Sequence, residues 1–152
     1  MKTNADTRNV TKRKARELLD SYLKGTGHRH TPERSAILDA VYGQRGPFPL
    51  DELAKVLEQR NFPVSRATLY NTMRLFIKLR LVVRHRFLGR TSYEACYARG
   101  DHIHQVCTVC GSIREVAAVE VTEAVDKLRL NRFRKEGFSL YKIGRASCRE
   151  RV

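Results

Sequence analysis

The chain has 152 residues, with 30 Lys and Arg against 16 Asp and Glu, and a formal net charge of +14. This excess of cations favours a polyanionic partner, nucleic acid before an anionic membrane, although a basic face that only meets solvent is the alternative. No apolar run is long enough to cross a bilayer, and residues 1–10 lack the apolar core of a signal peptide. We therefore expect a cytoplasmic protein with no membrane partner, in which the four cysteines are reduced and metal ligation is favoured over disulfides.

The positive charge is concentrated in the first part of the chain. Residues 1–95 carry 19 basic and 9 acidic residues, a net charge of +10, whereas the remainder carries 11 and 7, a net charge of +4. The surface that binds a polyanion should therefore lie mainly in residues 1–95.

Residues 1–95 show the pattern of helices followed by a hairpin. Apolar residues recur at helical spacing in four segments: 10–24, 32–42, 50–60 and 66–80. Two strands, 81–87 and 91–95, follow around a turn at 88–90. This order predicts a winged helix-turn-helix, in which the fourth helix reads the major groove and the hairpin lies along the DNA backbone.

Capping residues support two of these helices. Thr31 is suited to cap the second helix, with Pro32 at its first position, and Ser65 is suited to cap the fourth.

The remainder reads as a small α/β domain, residues 96–143. It comprises a loop with clustered His and Cys residues, a strand over 112–116, a helix over 119–135 and a strand over 138–143. Such a unit has a thin core, so we expect a bound metal and a partner subunit to stabilise it. The fold class is therefore α+β. Residues 144–152 show no periodicity, and we expect a disordered or non-native tail there.

Polar side chains crowd the start of the fourth predicted helix. Arg and Asn bind guanine and adenine edges, whereas Thr and Tyr suit phosphates and thymine methyl groups. Together with basic residues of the second helix and the hairpin, they form the candidate DNA contacts: Arg34, Arg66, Thr68, Tyr70, Asn71, Arg74, Arg86 and Arg90. The alternative is an ordinary polar helix face.

The segment 101–111 reads D-H-I-H-Q-V-C-T-V-C-G and carries two kinds of metal ligand. Cys107 and Cys110 form a C-x-x-C turn that suits structural Zn²⁺. A redox dithiol is one alternative, but that class places the motif at the start of a helix. A zinc knuckle that binds single-stranded RNA, or a pair of buried cysteines, are the others.

His102 and His104 project to the same side if their segment is extended. Glu94, at the end of the predicted hairpin, could complete a set of two imidazoles and a carboxylate that suits Fe²⁺, Zn²⁺ or Mn²⁺. The alternative is two histidines that face solvent. We expect His28, His30 and His85 to be basic surface residues near DNA rather than ligands.

These motifs together resemble the ferric uptake regulator (Fur) family of metal-dependent bacterial repressors. The resemblance runs from about Gly27 to Ile143 and rests on T-P-E-R-S-A-I-L, S-R-A-T-L-Y-N-T, Y-E, H-I-H-Q-V-C-T-V-C-G and F-S-L-Y. It implies a homodimer on double-stranded operator DNA, with no enzymatic activity, that binds when a regulatory metal between its domains is present. Zinc-uptake and peroxide-sensing members share these motifs, so the sequence does not name the metal.

The resemblance also assigns roles to single residues. It implies structural zinc at Cys107 and Cys110, and regulatory metal at Glu94, His102 and His104. It implies a base contact by Tyr70.

Three positions depart from the family pattern. The family usually takes another regulatory imidazole from the turn before the third helix, where this chain has Pro47. An additional metal site that occurs in the family is expected to be absent, because Phe138 stands at the position of its histidine and Ile103 where a metal-binding aspartate can occur. The family's second cysteine pair lies past the last strand, and this chain has no second C-x-x-C there. Because structural zinc contributes on the order of 10 kcal/mol to folding, we expect weak zinc binding and weak dimerisation.

Overall fold

The computed structural model describes residues 4–97, 101–135 and 137–145, which fall into two compact units, one within Met1–Arg99 and the other within Gly100–Val152. The first unit contains α1 (Asn4–Thr26), α2 (Pro32–Gly43), α3 (Leu50–Gln59), α4 (Arg66–Lys78), β1 (Val82–Phe87) and β2 (Arg90–Ala95). The second contains β3 (Ile103–Cys107), β4 (Ile113–Val116), α5 (Val119–Asp126) and β5 (Leu140–Gly144). The α+β fold class predicted from the sequence is confirmed.

Side-chain caps begin α2 and α4 where the sequence predicts them. The Thr31 hydroxyl accepts a hydrogen bond from the Arg34 N–H, and Pro32 occupies the first turn. The Ser65 hydroxyl accepts from the Thr68 N–H at 3.1 Å. Each cap satisfies a backbone donor that the helix leaves without an internal partner.

The first helix begins earlier than predicted, at Asn4 rather than Val10. Asp6 lies in its first turn, where a carboxylate favours the positive end of the helix dipole. This interaction lies outside the apolar stripe from which the prediction was made.

Apolar residues from all four helices form the core of the first unit. The fully buried ones include Leu19, Leu23, Ile37, Leu38, Leu53, Leu57, Leu69, Met73 and Phe76. The Tyr42 hydroxyl donates to the Leu81 carbonyl oxygen at 2.8 Å and connects α2 to the start of the hairpin. This packing fixes α4 and leaves its opposite face available.

The hairpin gains a third chain segment at its edge. Strands β1 and β2 pair antiparallel from Val82↔Ala95 to Phe87↔Arg90. Their turn holds Leu88 and Gly89 at φ angles of 47° and 73°, as a two-residue turn matched to strand twist requires. Phe48 then exchanges two backbone hydrogen bonds with Tyr93, at 2.9 and 2.8 Å. The segment that precedes α3 therefore lies beside β2.

The second unit is built on a three-stranded sheet of order β4-β3-β5. Strand β3 pairs antiparallel with β4 and parallel with β5. The prediction of a loop at the His and Cys motif is wrong for residues 103–107, which form the central strand. The reason is non-local, because β5 supplies its backbone partners from more than 30 residues away in the chain.

Two other boundaries in this unit differ from the prediction. Helix α5 ends at Asp126 rather than Lys135. Like charges disfavour a longer helix, and the segment that follows is rich in cations: Lys127, Arg129, Arg132, Arg134 and Lys135. Gly144, expected to start the tail, ends β5, and its carbonyl accepts from the Thr108 N–H at 2.9 Å. Residues 146–152 of that tail lie outside the described residues.

Among the described residues, no helix combines the length and the apolar character that crossing a membrane requires.

Candidate DNA-reading helix and metal-ligand clusters

Helix α4 has one buried face and one polar, accessible face. Leu69, Met73 and Phe76 are buried in the core of the first unit, and Thr72, which the sequence did not single out, is buried with them. The predicted contact residues lie on the other side. Arg66, Asn71 and Arg74 are exposed, Thr68 is half-buried, and Tyr70 is 51% exposed although it is aromatic. The helix therefore presents hydrogen-bonding groups on a rigid support.

The cations near this face form only weak interactions within the chain. Arg66 lies 3.2 Å from an Asp51 carboxylate oxygen, and both side chains are at least 80% exposed. Such pairs contribute little and are screened by salt, so Arg66 can exchange its partner for a phosphate. Arg34 donates to the Arg29 carbonyl, and Arg86 and Arg90 are exposed on the hairpin.

Tyr93 of β2 is a buried, neutral phenol close to Tyr70. Burial raises its pKa, and the neighbouring Tyr70 raises the pKa further, whereas Arg84 acts in the opposite direction. Tyr93 therefore supports the hairpin through packing and through its backbone bonds to Phe48.

Glu94 and His85 form a buried pair on the hairpin. The His85 Nε2 and Glu94 Oε2 atoms are 2.9 Å apart, and their side chains are 1% and 0% exposed. The prediction that His85 is a surface residue near DNA is wrong. In β1 its side chain lies on the same face of the hairpin as Glu94, because β-strand side chains alternate and Val83 pairs with Glu94.

Pro47 lies next to this pair in the sheet register. Because Phe48 bridges Tyr93 in antiparallel fashion, Pro47 lies across from Glu94 on the opposite edge of β2. The turn before α3 therefore reaches Glu94, but the residue at that place has no donor atom in its side chain.

His102 and His104 are brought together by the second unit. Their Nε2 atoms are 3.1 Å apart and their ring centroids are 4.6 Å apart. The ring of Tyr141 on β5 stacks against His104 at 5.6 Å, where the two residues pair across the sheet. Strand β3 and its neighbour therefore fix the orientation of these imidazoles.

Glu115 belongs beside these histidines and was missed from the sequence. It pairs with His104 across β3 and β4, and one of its carboxylate oxygens lies within 4.8 Å of a ring nitrogen of His102. An acidic residue on a predicted strand is a possible metal ligand. The sequence did not show that this strand pairs with the histidine segment, so Glu115 could not be assigned to the site.

The side chains in these two clusters are of the types that bind divalent metal ions. Imidazole and carboxylate groups suit Zn²⁺, Fe²⁺ and Mn²⁺. The first unit brings together His85 and Glu94, 2.9 Å apart, and the second brings together His102 and His104, 3.1 Å apart. Both distances are those of hydrogen bonds, so it is the chemistry of the side chains that makes them candidate ligands.

Cys107 and Cys110 flank a tight turn between β3 and β4. The Gly111 N–H donates to the Cys107 carbonyl at 2.9 Å, and Gly111 has a φ of 70°, which favours glycine. Cys107 is buried, and Cys110 is half-buried with its thiol 3.1 Å from the Ser112 hydroxyl. The turn carries two cysteines, and a tetrahedral zinc site needs four ligands.

Cys96 does not lie in a comparable turn. It is half-buried, and its thiol donates to the Arg80 carbonyl at 3.1 Å. Cys148 lies outside the described residues.

The ammonium group of Lys135 lies beside the Phe138 ring. Lys135 binds Asp101 at 2.9 Å and also Asp126, and its Nζ lies 4.9 Å from the centre of the Phe138 ring. Hydrogen bonds to Asp126 and then Asp101 raise the pKa of Lys135. This cluster connects the residue just before β3 with the end of α5 and the segment that precedes β5.

Comparison with known proteins adds an independent result. The profile of the Ferric uptake regulator family matches residues 25–143. The peroxide operon regulator of Bacillus subtilis is 36% identical over 91 residues, which cover 60% of this chain and 62% of that protein. The peroxide-responsive repressor PerR of Staphylococcus aureus is 30% identical over 102 residues, covering 66% of this chain and 68% of that protein. The chain spans about three fifths of the length of the first of these relatives.

Solved structures agree on the fold. The ferric uptake regulator of Vibrio cholerae has a TM-score of 0.61 at 26% identity, covering 84% of this chain and 98% of that one. The ferric uptake regulator Fur of Helicobacter pylori has a TM-score of 0.69 at 20% identity, covering 86% of this chain and 89% of that one. The family match extends over most of the described residues. It includes α2, α3, α4, the hairpin and the sheet that carries His104 and Cys107. This chain belongs to the ferric uptake regulator family.

Proposed function

We propose that this chain is a metal-responsive transcriptional repressor that binds double-stranded operator DNA as a homodimer. The observation that carries the proposal is the combination of an exposed polar face on α4 with side chains of metal-binding type that lie close together in each unit. Family membership supports the same function. The proposal assigns no catalytic residues.

In this proposal, α4 enters the major groove. Arg66, Asn71 and Arg74 would reach base edges or phosphates, and Tyr70 would contact a base. Arg86 and Arg90 on the hairpin, with Arg34 at the start of α2, would bind the phosphate backbone. A zinc uptake regulator whose structure was solved with zinc and DNA has the same fold, with a TM-score of 0.54 at 18% identity.

The regulatory step rests on linkage. We propose that Glu94, His102 and His104 bind one regulatory ion, Fe²⁺, Zn²⁺ or Mn²⁺, with Glu115 beside the histidines. An ion that binds the DNA-binding conformation more tightly than the other conformation shifts the population toward it. The protein's residues contribute the donor atoms, and the sheet of the second unit holds two of them in place.

Dimerisation and structural zinc belong to the second unit. Several of its large apolar side chains are exposed: Val119, Val121, Leu128, Leu130, Phe133, Leu140 and Ile143. A surface of this kind favours burial against another subunit. Cys107 and Cys110 would hold Zn²⁺ at the turn between β3 and β4.

The direct test is DNA affinity with and without metal. Fluorescence anisotropy would measure binding of the full chain to short duplexes enriched from a randomised library, with Zn²⁺, Mn²⁺ or anaerobic Fe²⁺ present or chelated. We expect tighter binding with metal, and loss of that difference in a variant with His102→Ala and His104→Ala. Equal affinity in both conditions would contradict the proposal.

A peroxide-responsive repressor is the second candidate, favoured by the names of the relatives from Bacillus subtilis and Staphylococcus aureus. Hydrogen peroxide would then release DNA from the Fe²⁺-loaded protein but not from the Zn²⁺-loaded protein, because only Fe²⁺ is oxidised. Unchanged DNA affinity in both would reject this candidate.

A thiol oxidoreductase is not favoured by the geometry. Cys107 and Cys110 lie in a turn between two strands, whereas a helix N-terminus is what lowers the pKa of reactive C-x-x-C thiols. An insulin-reduction assay with the full chain would detect such an activity.

A further inference from the structure

The tip of the hairpin combines two features that are unfavourable for the chain by itself. Leu88 has a φ of 47°, in the left-handed region that Gly, Asn and Asp adopt more readily than other residues. Its aliphatic side chain is also 59% exposed. An Asn at this position would relieve the backbone strain and expose less apolar surface. Because strained residues are concentrated at functional sites, Leu88 points to a contact outside the chain.

One face of the hairpin is basic and adjoins the polar face of α4. Arg84 and Arg86 are exposed on this face, and Tyr93 lies on it as well because it pairs with Arg84 across the strands. Tyr93 is close enough to Arg84 and to Tyr70 of α4 for both to change its pKa. The hairpin therefore extends from the surface that the proposed function places on DNA.

The length of the hairpin brings its tip beyond the edge of a major groove. Leu88 follows Arg84 in the chain, and four strand residues span about 13 Å at about 3.3 Å per residue. The major groove is about 12 Å wide, so a phosphate backbone lies about 6 Å from its centre, and the minor groove begins beyond that backbone. A hairpin that starts beside α4 in the major groove can therefore reach across the backbone with its tip.

Cations flank the apolar tip. Arg86 and Arg90 are exposed on either side of the turn, and Arg90 pairs with Phe87 next to Leu88. Guanidinium groups suit the phosphates that border the minor groove. An apolar side chain between them suits the floor of that groove, where proteins commonly insert Leu, Ile, Met or Phe against base steps. The surrounding positive charge favours DNA over an apolar protein surface as the partner of Leu88.

We propose that Leu88 enters the minor groove beside the α4 contact and packs against the base pairs there, with Arg86 and Arg90 on the flanking phosphates. The inference rests on the proposed function and adds a contact that selects for sequence. The guanine N2 amino group projects into the minor groove, whereas A·T pairs leave its floor open. Leu88 therefore favours A·T over G·C pairs at the positions that it touches.

The first experiment tests whether Leu88 contacts the minor groove. Inosine lacks the N2 amino group of guanine, so an I·C pair differs from a G·C pair only in the minor groove. Fluorescence anisotropy with Mn²⁺ present would compare enriched duplexes that carry one G·C or one I·C pair at each successive position. We expect the full chain to bind the I·C duplex about tenfold more tightly at one or two positions. In Leu88→Asn this preference should disappear.

Three outcomes would contradict these expectations. Equal affinity of the native chain for I·C and G·C duplexes at every position would overturn the inference and leave the proposed function intact. An I·C preference that Leu88→Asn retains would overturn it as well. Failure of the native chain to bind any enriched duplex would contradict the proposed function itself.

The second experiment separates a contact with DNA from a role in folding. Asn tolerates the left-handed φ, so Leu88→Asn should unfold at the same temperature as the native chain or at a higher one. Its affinity for the enriched duplex should nevertheless fall about tenfold. Unchanged affinity in the folded variant would overturn the inference. A lower unfolding temperature would show that the fold itself needs Leu88, and would overturn it too.

Two matched variants test whether the contact is apolar and local. Leu88→Met keeps an apolar side chain of similar volume and should retain most of the DNA affinity. Val10→Ala shortens another apolar side chain, which is 43% exposed on α1, and should leave DNA affinity unchanged. A loss in Leu88→Met as large as that in Leu88→Asn would overturn the inference, as would a similar loss in Val10→Ala.

Discussion

Tyr70 illustrates how a single residue indicates function. An aromatic side chain that is 51% exposed on a helix whose other face is fully buried gains nothing for the core. Asn71 and Arg74 beside it are exposed as well. Under the proposed function this surface contacts DNA, and its groups suit base edges.

Tyr70 and Asn71 should therefore govern discrimination between DNA sequences. Tyr70→Phe and Asn71→Ala should each lower the affinity for an enriched duplex by about 1–3 kcal/mol, with a smaller effect on unrelated duplexes. Competition binding with enriched and scrambled duplexes measures the ratio of the two affinities. A uniform loss on both duplexes would assign these residues to the phosphate backbone instead. Arg114→Ala, on an exposed position of β4, serves as the control.

The ion pairs of Lys135 should make the stability of the fold depend on pH. Its pKa is raised by hydrogen bonds to Asp126 and Asp101, so the charged form is favoured by folding. The stabilisation is fully present below the ordinary lysine pKa of 10.5 and is lost as pH rises through the higher pKa of the folded state.

The variant Lys135→Met lacks this contribution. The difference in unfolding temperature between the native chain and the variant should stay constant around neutral pH and shrink only above pH 10.5. A difference that shrinks near neutral pH would show that another group is responsible.

At the scale of elements, the position of α4 depends on how the helix begins. Ser65 accepts a hydrogen bond from the Thr68 N–H at the start of α4, and no acidic residue lies in the first turn to assist. This cap sets where the exposed face of the helix starts.

Ser65→Ala should lower the free energy of unfolding by about 1 kcal/mol. Ser65→Asn retains a capping oxygen and should cost much less. Urea denaturation of both variants measures the difference, and equal losses would show that the side-chain cap contributes nothing.

Elements were predicted well where local signals act. The caps Thr31 and Ser65, the apolar stripes and the turn at Gly89 placed α2, α3, α4 and the hairpin close to their observed bounds, whereas α1 begins before its predicted start. Strand β3 was missed because its partner β5 lies far away in sequence. Helix α5 was predicted too long because its apolar spacing continues into the cationic segment that ends it.

At the scale of the whole molecule, metal and DNA should be coupled. If metal raises DNA affinity by some factor, DNA raises metal affinity by the same factor. Titration of Mn²⁺ into the full chain with and without an enriched duplex measures the second factor, and anisotropy measures the first. A metal affinity that the duplex leaves unchanged would contradict the coupling of metal and DNA.

The sequence by itself determined the family, the fold class and the candidate metal ligands, because these depend on residues close together in the chain. Cys107 and Cys110, His102 and His104, and the polar start of α4 are all local patterns. Only the tertiary structure decided which distant residues meet. His85 reaches Glu94 through strand register, Glu115 reaches His102 through the pairing of β3 with β4, and Pro47 faces Glu94 through a single bridge. The pairing of strands brings these residues together, and the pattern of a single sequence does not show which strands pair.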